Sequence, residues 1–138
     1  MIFVIPGEPV GKGRPKFSTF NGHAVAYTPN KTVSYENLVK LSYQQQCTDA
    51  VPFGKSVQLI AEITAYFSIP KSASKKKTAD MVMHKIRPTK KPDTDNIAKA
   101  VLDALNGIAY YDDSQIVSIT VHKLYNEYPK VIVAIEEV

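Results

Sequence analysis

Every second position from Val57 to Phe67 is apolar, setting Val57, Leu59, Ala61, Ile63, Ala65 and Phe67 on one face of the β-rich stretch Ser56 to Ile69. A period of two predicts a half-buried strand, which Pro70 ends. Ile2 to Ile5 is a shorter β-type run stopped by Pro6-Gly7, and the Gly/Pro-rich stretch GEPVGKGRPK that follows predicts a basic loop. Ile108–Tyr111 and Ile116–Leu124 predict two strands joined by a short Asp112-Asp113-Ser114 turn. Val131–Ile135 predicts a last strand after a turn over Asn126–Lys130.

The period changes to about 3.6 in two places. Thr32 can cap a helix over Val33–Gln46, with Glu36 in its first turn and Tyr35, Leu38, Val39 and Ser42 along one side. After Pro92, Asp93 can cap a second helix and Gly107 after Asn106 can stop it. On that helix Asp95, Asn96, Lys99, Asp103 and Asn106 share an arc of about 100°, while Ile97, Ala98, Ala100, Val101, Leu102, Ala104 and Leu105 fill the rest. Residues 71–92, rich in Ser, Lys and Thr, have little periodicity and predict a mobile basic loop. The expected fold is α+β: a single domain over 1–138, with a small mixed sheet packed with about two main helices.

With 138 residues, 44% of them hydrophobic, one core suffices. The longest apolar stretch is broken by Gln58, Glu62 and Thr64 and no N-terminal leader is evident, so no membrane segment is expected. The single Cys47 can form neither an intrachain disulfide nor a cysteine-based zinc site, and a cytoplasmic chain is expected.

The net charge of +4 matters less than its distribution. Between Lys71 and Lys91 there are eight basic residues and one acid, Asp80, a local balance of +7. Five of the seven aspartates, Asp93, Asp95, Asp103, Asp112 and Asp113, then fall within 21 residues, while all six glutamates lie elsewhere. A polyanion-attracting segment running into an aspartate cluster suggests nucleic acid, with a divalent cation between carboxylates and phosphate. Asp93, Asp95 and the Asp112-Asp113 turn could hold one magnesium-sized ion, which keeps waters and phosphate oxygens as its other ligands. The same aspartates could equally be a helix cap and an ordinary turn. Lys99, four residues from both Asp95 and Asp103, is either a rung of a surface ladder or a cation placed to stabilise developing charge.

Several other motifs fail on their own requirements. An EF-hand would need a ligand at Ile97, Gly at Ala98 and Glu at Ala104. A DxD motif of glycosyltransferase or phosphatase type would end a buried strand, whereas this one follows a basic segment. Gly11-Lys12-Gly13 lacks the rest of a phosphate loop. His23, His84 and His122 are scattered, and Cys47 has no nearby basic partner. Tyr110 or Tyr111 could stack on an unpaired base, although packing is the commoner use of such a residue. The candidate phosphate contacts are Lys12, Arg14 and Lys16 in the first loop and Lys75, Lys76, Lys77, Arg87, Lys90 and Lys91 in the second.

The pattern Pro92, Asp93-x-Asp95-Asn96, Lys99, Asp103-Ala104-Leu105 and Asp112-Asp113-Ser114-Gln115-Ile116 resembles the RusA family of Holliday junction resolvases, known from bacteria and their prophages. The resemblance is close over residues 87–123 and general over the first 70. It implies a small α+β homodimer that uses Mg²⁺, for which Mn²⁺ can substitute, to nick two strands of a four-way or otherwise branched DNA symmetrically. It implies no small-molecule cofactor and a bacterial or phage-encoded origin. By position, it makes Asp93, Asp95 and Asp113 the catalytic and metal-binding carboxylates and Lys99 the essential lysine, with Asp112, Asp103 and Asn96 in support. Two other functions compete: a non-catalytic nucleic-acid-binding module, and a flap or fork nuclease with the same metal chemistry.

Overall fold

The alternation at residues 56–69 becomes the middle of a sheet. The computed structural model describes residues 1–138, and in it Leu59–Ser68 is a strand in which Leu59, Ala61, Ile63, Ala65 and Phe67 are buried. In chain order the elements are β1 (Ile2–Pro6), β2 (Lys16–Phe20), β3 (His23–Tyr27), α1 (Asn30–Gln46), β4 (Leu59–Ser68), α2 (Lys75–Val82), α3 (Thr94–Ala104), a short 3₁₀ turn (Asp113–Gln115), β5 (Ile116–Asn126) and β6 (Lys130–Glu137). The main sheet runs β1-β6-β4-β5. β6 is antiparallel to both neighbours, whereas β5 is parallel to β4, so the sheet is mixed and the class α+β as expected.

A parallel pair needs a crossover of a dozen or more residues. Here the crossover contains α2, α3 and the aspartate-bearing turn. α1 packs against β1 and α3, and one core of 23 buried side chains joins helices and sheet. The edge-to-face pair of Phe3 and Tyr43, with centroids 5.7 Å apart, fastens α1 to β1. The Gln46 amide also hydrogen-bonds both ways with the Val4 backbone, 2.8 Å and 2.7 Å, which partly closes the open edge of the sheet. No helix is long and apolar enough to cross a membrane.

Four expectations need correction. Residues 71–92 are not one loop, because 75–82 form α2: the Ser74 hydroxyl caps it by accepting from the Lys77 N–H at 3.2 Å, and Met81 is buried in the core. The lysines there are the wet face of a helix, and there are three helices instead of two. Ile108–Tyr111 is not a strand either. Gly107 takes φ +72°, Ile108 and Ala109 N–H both donate to Leu105 O, and the chain turns back so that Tyr110 is buried and donates its hydroxyl to Leu102 O. α1 starts at Asn30, two residues before the expected cap, because the Thr32 hydroxyl accepts from the Gly13 N–H instead of capping its own helix. Glu36 accordingly lies beyond the first turn.

The fourth is an omission. β2 and β3 form a separate hairpin across Asn21-Gly22, both with positive φ (51° and 77°), as a two-residue mirror-image turn requires.

Candidate active site

The first loop and the start of α3 approach so closely that side chains have to be absent. A Cβ on Gly11 would lie 2.8 Å from Pro92 Cβ and 3.1 Å from Asn96 Cβ; one on Gly13 would meet Thr32 Oγ1 at 2.7 Å. These contacts explain the Gly-Lys-Gly motif without a phosphate loop: each glycine lets the backbone touch a helix. The Lys12 N–H then donates to Asn96 O at 2.9 Å and the Gly13 N–H to Thr32 Oγ1 at 2.9 Å, joining the loop to α3 and α1.

The cleft enclosed by these contacts is lined by Lys12, Arg14, Lys16, Lys31, Lys91, Asn96 and one acid, Asp93. Arg14, Lys16 and Lys91 are candidates from the sequence brought together here from segments about 75 residues apart. Lys31 was not anticipated, since nothing marks a lone lysine in the first turn of a helix. Lys75, Lys76, Lys77, Arg87 and Lys90 are exposed but lie outside the cleft.

Asp93 occupies the N-cap position of α3, yet its side chain makes no cap hydrogen bond. The carboxylate on the cleft rim is therefore free for another use, and the start of a helix favours negative charge there. Asp95 is exposed in the first turn of α3. Lys99 is also exposed and directs its ammonium to Asp103 Oδ2 at 3.3 Å.

Lys12 is half-buried. Its ammonium contacts Glu36 Oε1 and lies 3.5 Å from Asp103 Oδ2. Burial works against the charge, but the hydrogen bonds and charges of Glu36 and Asp103 outweigh it, and the ammonium is held above the ordinary lysine range. The stability this contributes is fully present at neutral pH and is lost only as the pH rises through that raised value. Lys12 thus links α1, the first loop and α3. Lys12→Met, which keeps the stem and deletes the charge, leaves two acids facing each other and is expected to cost about 1–2 kcal/mol in urea unfolding; an unchanged midpoint would refute that role.

The two aspartates of the turn divide into separate roles. Asp112 Oδ2 accepts from the Ser114 N–H at 3.1 Å, and Gln115 Oε1 accepts from the Asp112 N–H at 3.1 Å, forming a capping box. Bonding to Ser114 lowers the Asp112 pKa. Gln115 is buried and donates to Gly54 O and Val57 O, at 2.7 Å and 3.0 Å, anchoring the turn to the chain before β4. Its residue type at the third position after Asp112 was the available signal for that role. Asp113 has its N–H held by Asn106 Oδ1 at 2.8 Å. Its carboxyl is pushed above the usual range by burial, then by its hydrogen bond with Asp103 and the charges of Asp103 and Asp112, against a downward pull from Lys99. Tyr110 is buried above the same acids, which together with burial raise its phenol, and it presents no ring to solvent. Tyr111 is exposed, with Lys55 Nζ 4.4 Å from its ring centroid.

The acids therefore sit in two places along α3. Asp93 and Asp95 are at its start, and Asp103 with Asp113 at its end, about 12 Å further along the axis at ~1.5 Å per residue. No three acidic, histidine or cysteine side chains of the chain converge closely enough to hold a metal together.

Residues 6–136 match the sequence profile of a family described as Endodeoxyribonuclease RusA. The chain is also 40% identical over 138 residues to Uncharacterized protein YqaN of Bacillus subtilis (strain 168), an alignment spanning 99% of this chain and 95% of that protein.

Proposed function

Because this chain belongs to the RusA endodeoxyribonuclease family, we propose that it is a Mg²⁺-dependent, structure-selective DNA endonuclease that resolves four-way junctions by paired symmetric nicks as a homodimer. The observation that carries this is Asp93: a helix-cap aspartate whose carboxylate makes no cap bond and lies among Arg14, Lys16, Lys31 and Lys91 on the rim of a basic cleft. A purely structural cap would use the side chain, and a purely phosphate-binding cleft gains nothing from a carboxylate.

The donors suit a hard divalent ion in kind, since Asp93, Asp95, Asp103 and Asp113 offer oxygen only. In number, one chain presents two short acidic stations instead of a triad, and Mg²⁺ commonly takes one or two carboxylates with phosphate and water. Asp93 and Asp95 are the pair proposed to hold the ion within one chain, with Mn²⁺ able to replace Mg²⁺; Asp113, expected from the sequence to join them, stands beside Asp103 about 12 Å further along α3 and does not. Bound there, the ion would lower the pKa of water and neutralise the scissile phosphate. The chain's own part is positional and electrostatic. Arg14, Lys16, Lys31 and Lys91 fix the phosphate backbone, and Lys99 supplies positive charge beside the acids where charge develops in the transition state. Asn106 and Gln115 hold the Asp113 turn, and Lys12 with Asn96 holds the loop against α3. Two symmetric nicks require two active sites, which a two-fold dimer supplies.

The direct test is cleavage of a mobile four-way junction, a Y-fork and a linear duplex, each with Mg²⁺ or EDTA. Paired nicks in the junction alone, abolished by EDTA, are expected. Nicks confined to the fork would move the substrate, and no nicks in any of the three would leave a binding module.

A further inference from the structure

Building on the branched-DNA reading above, we propose that the hairpin of β2 and β3 is an arm that enters the branch point and stacks Phe17 and Phe20 on bases unstacked there. All ten strand residues are exposed, and Phe17 and Phe20 are 73% and 68% accessible. An isolated two-stranded hairpin is barely stable in water, so one carrying two bare phenyl rings has a surface that calls for an occupant.

The pairing sorts the rings by face. Lys16 with Tyr27, Ser18 with Val25, and Phe20 with His23 share one side; Phe17 with Ala26 and Thr19 with Ala24 share the other. Phe20 thus stands near the tip of one face beside a histidine. Phe17 rises alone over alanines and a threonine on the other face, leaving its ring open to a flat partner.

Charge and continuity select the occupant. Between Glu8 and Glu36 there is no acid, while Lys12, Arg14, Lys16 and Lys31 are all basic. Lys16 at the hairpin's root, with Pro29 and Lys31 just beyond its end, lines the same cleft that holds Asp93. A second copy of a basic arm would be repelled, whereas nucleic acid would be drawn in. Within a paired duplex the base faces are covered, so aromatic stacking is available only where the stack is broken.

The test is a four-way junction carrying 2-aminopurine beside the branch point, titrated with the full-length protein in EDTA, alongside a linear duplex. Binding by the wild type is expected to change the fluorescence. Phe17→Ala/Phe20→Ala is expected to lose that change and to bind the junction about tenfold or more weakly, with duplex affinity unaltered. Its salt dependence should match wild type, because no phosphate contact is lost, whereas Lys16→Ala should flatten the slope by about 0.9. A double variant that keeps both signal and affinity, in a chain shown to be folded by circular dichroism, overturns the proposal. A double variant that elutes as a monomer where the wild type is a dimer overturns it in favour of a self-association surface. A parallel nicking reaction in Mg²⁺ separates the two inferences: an arm-dependent fluorescence change without nicks supports the arm and refutes the nuclease, and no binding to the junction refutes both.

Discussion

Asp95→Asn is expected to slow junction cleavage about a thousandfold, as removal of a principal transition-state charge partner does elsewhere, while leaving junction affinity equal to or better than wild type. The side chain is exposed in the first turn of α3 and has no hydrogen bond or ion pair within the chain. The isosteric amide forfeits only its favourable position at the helix start, about 0.5 kcal/mol. Folding should be nearly unchanged, and removing a negative charge near the cleft reduces repulsion of phosphate. Single-turnover cleavage in saturating Mg²⁺, paired with gel-shift affinity in EDTA, reads both effects. Cleavage at the wild-type rate would remove Asp95 from the site, and a parallel loss of binding would make it a contact residue.

The largest effect on stability is expected on the opposite side of the same helix. Ile97 follows Asn96, which touches the cleft, but Ile97 itself is fully buried in the core. Ile97→Ala deletes most of a side chain that α3 uses to seat on the sheet and should cost about 3 kcal/mol. For a chain of this size that is roughly a 10 °C drop in Tm. In urea the midpoint should fall with the slope unchanged. A cost under about 1 kcal/mol would mean that α3 is not held by this face, and the placement of Asp93 and Asp95 would lose its support.

Both predictions come from a helix whose character is legible in the sequence, because a narrow polar stripe against Ile97, Ala100, Val101 and Leu102 has one arrangement that buries the apolar side. The alternation in β4 is legible for the same local reason. Elements decided by a single cap were harder to read: Ser74 turns a lysine-rich tract into α2, which periodicity alone misses. The Asn21-Gly22 hairpin had a readable signal in its turn residues, masked by the loop-like composition just before it. The parallel pairing of β4 and β5 had no local signal, since it depends on what the intervening crossover can span. The site divides in the same way. Spacing puts Asp95, Lys99 and Asp103 on one stripe of α3, but only the fold brings Lys12 to Glu36 and Asp103 and brings Lys31 to Asp93's cleft.

The position of β6 bears on when the sheet can form. It lies between β1 and β4, hydrogen-bonded to both, so the earliest strand of the chain waits for the last one before it has a neighbour. A nascent chain still in the ribosome can form helices and the small hairpin, but not the sheet that supports α3. Pairings across nearly the whole length also close slowly. The sheet beneath α3 thus closes only once β6 has been made and has paired with both neighbours, and a chain cut before Lys130 is expected to leave β1 and β4 without the strand that joins them.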